Sequence, residues 1–208
     1  MFIILGFATL THTPLLAIMD AVALGMPLSQ AFGRLGCLNY GCCHGRECSS
    51  ANQFGIRYFD PQTKVLRFAP GLKGKRLHPT QLYSSMANLG IYLLILGLAI
   101  SWDTRPPGSL VALYMTLYGF KRFNMEFLRG EYPRVYFSGL TVWQWFSLSF
   151  MALGILTLTV ALFAGDMMGM ANVAEGFQRM KSAYGILIIM SVIPVIAYGI
   201  HGKKIGSW

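Results

Sequence analysis

Between Tyr118 and Arg129, four residues have the charge and spacing to hold an anion. Tyr118, Arg122, Glu126 and Arg129 recur at i, i+4, i+8 and i+11, which places them on one stripe of a helix that is otherwise apolar. An ionisable side chain in an apolar helix costs at least ~2.5 kcal/mol on insertion scales, so such groups face a partner or a watery cavity. Two readings fit the stripe. One is an Arg122–Glu126 ion pair within the helix, with Arg129 reaching for the interface. The other is an anion site in which Arg122 is a forked phosphate donor and Glu126 holds it in position. Lys121 is expected to point off this stripe.

Two further places carry polar chemistry at the ends of apolar segments. Gly33-Arg34-Leu35-Gly36-Cys37 closes the first, and the two glycines let backbone and ligand come close to the arginine. Asp20, earlier in that segment, either pairs with a neighbouring helix or caps a helix start. Leu77-His78-Pro79-Thr80-Gln81-Leu82-Tyr83 opens the next helix. There His78 and Gln81 either mark an interfacial helix start, with Tyr83 as aromatic anchor, or belong to the site. The cysteines Cys37, Cys42, Cys43 and Cys48 read C-x4-C-C-x4-C with His44 inserted. That is neither the C-x-x-C-H of haem attachment nor the paired C-x-x-C of structural zinc, and no metal is assigned. On an oxidising side, one or two disulfides at the base of the following loop are expected. A thiolate metal site with His44, or unpaired thiols, are the alternatives.

The elements that must position these residues are membrane helices. The chain of 208 residues is 54% hydrophobic and 12% charged, against about 25% charged for soluble domains. Apolar segments near spanning length fall at 14–33, 82–101, 107–128, 139–164 and 183–200. The first ten residues, ending at Thr11-His12-Thr13-Pro14, are too short to cross and read as the second half of a helix. Residues 103–108, with two prolines and a glycine, form a tight turn. Residues 45–80 make a polar loop, with β-favouring fragments such as Gly55-Ile56-Arg57-Tyr58-Phe59, long enough for a small cap. Residues 166–182 are mildly amphipathic, with Gln178, Arg179 and Lys181 near the end, and suit an interface. The pattern predicts an all-α polytopic membrane protein of about five to six transmembrane helices with one polar cap at about 45–80. The membrane domain is expected over 1–164, followed by an interfacial segment and an extra C-terminal transmembrane helix over 165–208. The formal charge of +9 fits residues facing anionic head groups and not nucleic acid. The apolar N-terminus, without a basic stretch, does not read as a cleaved signal peptide. Alternation puts 45–80, 130–138, Lys203 and Lys204 on one side, which the positive-inside rule would place in the cytoplasm.

In this order, the three motifs resemble the bacterial prolipoprotein diacylglyceryl transferase family. The family's G-R-x-G-N-F-x-N-G-E run is followed by Gly33-Arg34-Leu35-Gly36-Cys37-Leu38-Asn39-Tyr40-Gly41-Cys42. Its H-P-S-Q-L-Y-E is matched by His78-Pro79-Thr80-Gln81-Leu82-Tyr83-Ser84, and its Y-G-x-x-R-x-x-x-E-F-x-R by Tyr118 through Arg129. Gly139-Leu140-Thr141-Val142-Trp143-Gln144 looks like the start of the family's last helix, and the likeness covers about residues 20–164. The resemblance implies transfer of the diacylglyceryl group of phosphatidylglycerol to a lipobox cysteine of a secreted preprolipoprotein, without a cofactor. It also implies a bacterial inner membrane with the loop side outside the cytoplasm, since a long loop translocates regardless of charge. Arg34, Arg122 and Glu126 would form the centre, with Tyr118, Arg129, Gln81 and Asn39 around the phosphate. Cys37 and Cys42 replace the family's asparagine and glutamate. The family's H-G-G motif lies upstream of the first residue here, so a partner membrane subunit could supply the corresponding helices. A histidine on the loop side would then take the thiol proton. His78 is favoured over His44 because the motif fixes its position, whereas His12 and His201 lie elsewhere. A non-catalytic lipid-binding subunit and a membrane thiol redox or metal protein are the competing functions.

Overall fold

The computed structural model describes residues 14–49, 54–102, 105–130, 134–163 and Val192. The segments expected at 1–10, 166–182 and 183–200 lie outside these residues, Val192 apart, as do His12 and His201. Four long helices dominate: α1 (Leu15–Tyr40), α3 (Thr80–Ser101), α4 (Ser109–Glu126) and α5 (Val142–Phe163). Between α1 and α3 come a short α2 (Lys64–Phe68) and a 3-10 turn (Pro70–Leu72); β1 (Tyr136–Phe137) and β2 (Leu140–Thr141) precede α5. The protein is therefore a mostly helical, multi-spanning membrane protein. At 1.5 Å per residue, 22 residues of α3 or α5 reach about 33 Å, enough for a hydrocarbon core of about 30 Å. α1, α3 and α5 have mean hydropathies of 1.5, 1.7 and 2.1. α4 is shorter and carries Lys121, Arg122 and Glu126, so composition alone would not select it as a span.

Its charges are tolerable because the bundle is polar inside and apolar outside. Gln81, Ser84, Asn88, Lys121, Glu126, Gln144 and Ser147 are buried, whereas Leu89, Leu93, Ile100, Phe146, Leu153 and Leu156 are exposed to what would be lipid. α4 and α5 pack backbone to backbone. A Cβ on Gly154 would stand 2.6 Å from Thr116 Oγ1, and one on Gly119 2.7 Å from the Ser147 carbonyl, the small-residue contact that membrane helices use. An apolar core of Ala23, Ile91, Ile95, Leu110 and Tyr114 joins α1, α3 and α4.

Asp20 is the trans cap of α4. Its two carboxylate oxygens accept from Gly108 N–H and Val111 N–H, both at 2.8 Å, satisfying donors that a helix start leaves orphaned. Arg105 closes the same turn through the Ala99 and Trp102 carbonyls. Asp20→Ala is expected to destabilise the bundle by about 1–3 kcal/mol, the penalty for buried polar groups left unpaired. Thermal unfolding in detergent would measure it, and an unchanged midpoint would dismiss the cap.

α1 runs seven residues beyond Gly33, through the glycine-arginine motif to Tyr40. It ends where Gly41 turns left-handed (φ 75) and the N–H groups of Gly41 and Cys42 return to the Leu38 and Cys37 carbonyls, a Schellman closure. The 45–80 loop forms a cap with a small core of Tyr58, Val65, Leu66 and Leu77. The β-favouring fragment makes only the isolated Ile56–Leu77 bridge. Residues 44–46 are laced between two others: Gly45 N–H donates to His78 O, Arg46 N–H to Leu128 O, and Gly130 N–H to His44 O. At the start of α5, Ser138 and Gly139 both take positive φ, giving the two-residue turn that suits a tight hairpin. Thr141 and Gln144 then cap each other's backbone N–H groups, the reciprocal box of a helix start.

Candidate functional site

Where α1, α3 and α4 end on the loop side, Arg34, Cys43, Thr80, Ser84, Lys121, Arg122, Met125 and Arg129 line one pocket of about 10 Å³. That volume holds about one water. Arg34 comes from the last turns of α1 and Arg122 from α4, so the two arginines share a wall. Arg122 Nη1 donates to Glu126 Oε2 at 2.6 Å, with only 15% and 4% of their side chains exposed. The Arg122 guanidinium also lies 5.5 Å from the Trp143 ring centroid, a shelf provided by α5. Among the described residues, four cationic side chains thus line a pocket with no carboxylate on its walls, with Glu126 behind Arg122.

Lys121 is on the wall, not off the stripe. Its Nζ donates to the buried Asn88 Oδ1 at 2.6 Å and sits 4.2 Å over the Tyr118 ring. At about 100° per residue, positions 121, 125 and 129 fall within the same arc as 122. A count at i+4 from Tyr118 leaves it out, because Lys121 and Arg122 stand at the two edges of an arc of about 100°. Thr80 and Ser84 were missed because they look like ordinary helix-start polars.

Other expected residues stand elsewhere. Tyr118 faces Tyr114, Phe150 and Lys121. Gln81 is 1% exposed, and its amide N–H donates to the Cys42 carbonyl at 2.8 Å and to Tyr58 Oη at 3.3 Å. With Thr80, whose hydroxyl donates to the Cys43 carbonyl at 2.7 Å, it is a strut for the cysteine turn and is not among the pocket's lining residues. Asn39 is exposed at the end of α1 and is not among the pocket's lining residues. His78 is not on the pocket wall either: its backbone is fixed to residues 45 and 46, and its buried Nδ1 has no hydrogen-bond partner. His44 lines a separate cavity of about 840 Å³ beneath the cap, with Val65, Phe68 and Leu72. Neither histidine occupies the place expected of a base.

The expected disulfides are not formed. Instead, the Sγ atoms of Cys37, Cys42 and Cys43 lie within 4.8 Å of one another, and Cys48 is not in the group. A hydrogen bond with Cys43, burial and the proximity of Cys37 all push the Cys42 thiol far above the ordinary range.

Fold and site together define a membrane-embedded helical protein with a cationic pocket at one membrane boundary. Residues 1–160 match the profile of the prolipoprotein diacylglyceryl transferase family. The chain belongs to that family. It is 35% identical over 153 residues to phosphatidylglycerol–prolipoprotein diacylglyceryl transferase 2 of Clostridium perfringens (strain 13 / Type A), covering 72% of this chain and 54% of that protein. It is 34% identical over 151 residues to the transferase of Clostridium tetani (strain Massachusetts / E88), covering 71% and 55%. Against that of Streptococcus pneumoniae (strain Taiwan19F-14), the identity is 30% over 145 residues, covering 66% and 49%. The chain spans about half the length of these relatives.

Proposed function

We propose that the chain transfers the diacylglyceryl group of phosphatidylglycerol to a cysteine thiol of a prolipoprotein. The observation that carries this reading is the shared wall of Arg34, Lys121, Arg122 and Arg129. In the transfer, the cysteine thiol loses its proton to water and the thiolate sulfur attacks the glycerol carbon that bears the phosphate ester. A C–S bond forms, the C–O bond breaks, and the electron pair leaves on glycerol phosphate. Negative charge grows on the departing phosphate oxygens, and fixed cations in a dry pocket stabilise that charge more than they stabilise the intact lipid. Arg34 and Arg122 are forked donors suited to phosphate, Lys121 adds a point charge, and Glu126 orients Arg122.

The room for about one water means that a head group enters by displacing water and moving side chains. We place the site in a bacterial inner membrane, facing away from the cytoplasm, because the acceptor is a secreted protein. Purified protein in phosphatidylglycerol vesicles, given a lipobox peptide, is expected to yield a peptide heavier by one diacylglyceryl group together with free glycerol phosphate. An unmodified peptide would overturn the reading. Membrane vesicles of known orientation test the sidedness: modification is expected in right-side-out vesicles, and modification confined to inside-out ones reverses it.

A further inference from the structure

Cys37, Cys42 and Cys43 are the one group of at least three ligand-bearing side chains that converge among the described residues. The convergence is built. Cys37 is on the last turn of α1, and the Schellman closure at Gly41 folds the chain back so that Cys42 N–H meets the Cys37 carbonyl at 3.1 Å. Neighbours in an extended chain point to opposite faces. Cys43 escapes this because it is held at φ 57, a left-handed conformation rare for a non-glycine residue. Gln81 and Thr80 of α3 grip the Cys42 and Cys43 carbonyls, fixing the turn from a second helix. All three thiols are partly buried, and Cys43 reaches the wall of the cationic pocket.

We propose that these three cysteines form a binding site for a soft d10 cation such as Zn2+, Cd2+ or Cu+, held by three thiolates. Metal–sulfur bonds of about 2.3 Å require sulfurs roughly 4 Å apart, so the observed spread within 4.8 Å closes by small side-chain rotations. Sulfur donors select thiophilic cations over Mg2+ or Ca2+. A divalent ion bound by three thiolates is a monoanion, which Arg34, Lys121 and Arg122 would stabilise through the shared wall. No single stretch shows this site: the C-x4-C-C spacing matches no common metal pattern, and only the helix end and the left-handed residue bring the sulfurs together.

The test is a Cd2+ titration of the reduced full chain in detergent, without lipid or peptide, so its outcome is separate from transferase activity. Binding of one Cd2+ per chain with thiolate charge-transfer absorbance is expected. Alkylation and mass analysis should then show Cys37, Cys42 and Cys43 protected and Cys48 modified. Cys37→Ser, Cys42→Ser and Cys43→Ser should each weaken binding about tenfold or more, and Cys48→Ser should leave it unchanged. Alkylation of all four thiols in the presence of Cd2+ would overturn the site. A disulfide within the trio that persists when Cd2+ is present would overturn it as well. The protection experiment needs no substitution, so a variant that fails to fold does not blunt the test.

Discussion

Arg122→Lys is expected to lower the turnover of the proposed transfer by about 10²–10³-fold, the usual effect of removing one fixed donor from a developing oxyanion. The substitution keeps the charge and removes the fork. Arg122 holds Glu126 through Nη1 and lies over Trp143, so a planar group is fixed from two sides and presents its remaining N–H donors to the pocket. An ammonium on a flexible stem keeps neither the plane nor the bidentate geometry. Because the loss falls on charge that grows in the transition state, kcat should fall while the KM for phosphatidylglycerol changes little. Release of glycerol phosphate measures both. A loss below about threefold would mean that the arginine's planar donors are not used in the reaction, leaving it a structural role in pairing Glu126.

α1, α3 and α5 were legible in the sequence because runs of apolar residues near spanning length can do little else. The stripe at 118–129 was legible because charges in lipid must face inward. Boundaries were less so: α1 was expected to stop at Gly33 yet runs to Tyr40, since glycine is tolerated in membrane helices and only Gly41 takes the left-handed turn. Arg34, expected at the end of that segment, lies inside the helix. Gln81 and His78 misled for another reason. A motif names residues without saying whether their polar atoms serve a ligand or the chain, and here Gln81 serves the Cys42 carbonyl. The cysteines were read for disulfides because spacing along a chain does not encode a left-handed residue. Asp20 could be weighed between a pair and a cap, but naming its partners needed α4 packed against α1, a contact spanning some ninety residues.

Glu126→Gln and Lys121→Gln are expected to impair phosphatidylglycerol turnover to a similar degree, about tenfold or more, while shifting stability in opposite directions. The stripe as counted along the sequence would make Glu126 matter and Lys121 not. The pocket removes that distinction, because Lys121 lies on its wall beside Arg34 and Arg122. Stability separates the two. Glu126 is the carboxylate in hydrogen-bond contact with Arg122, and both are largely buried. Breaking such a pair by neutralising one member leaves a buried charge uncompensated, at a cost of about 3–5 kcal/mol. Lys121→Gln does the reverse: glutamine can still donate to Asn88 Oδ1, while one of several crowded cations is gone and like-charge repulsion falls. Unfolding midpoints in lipid-free detergent should therefore drop for Glu126→Gln and hold or rise for Lys121→Gln. Added phosphatidylglycerol should stabilise the parent more than either variant, since ligand stabilisation follows affinity. A Lys121→Gln protein with full turnover and a lowered midpoint would show that this lysine braces Asn88 and takes no part in binding the phosphate.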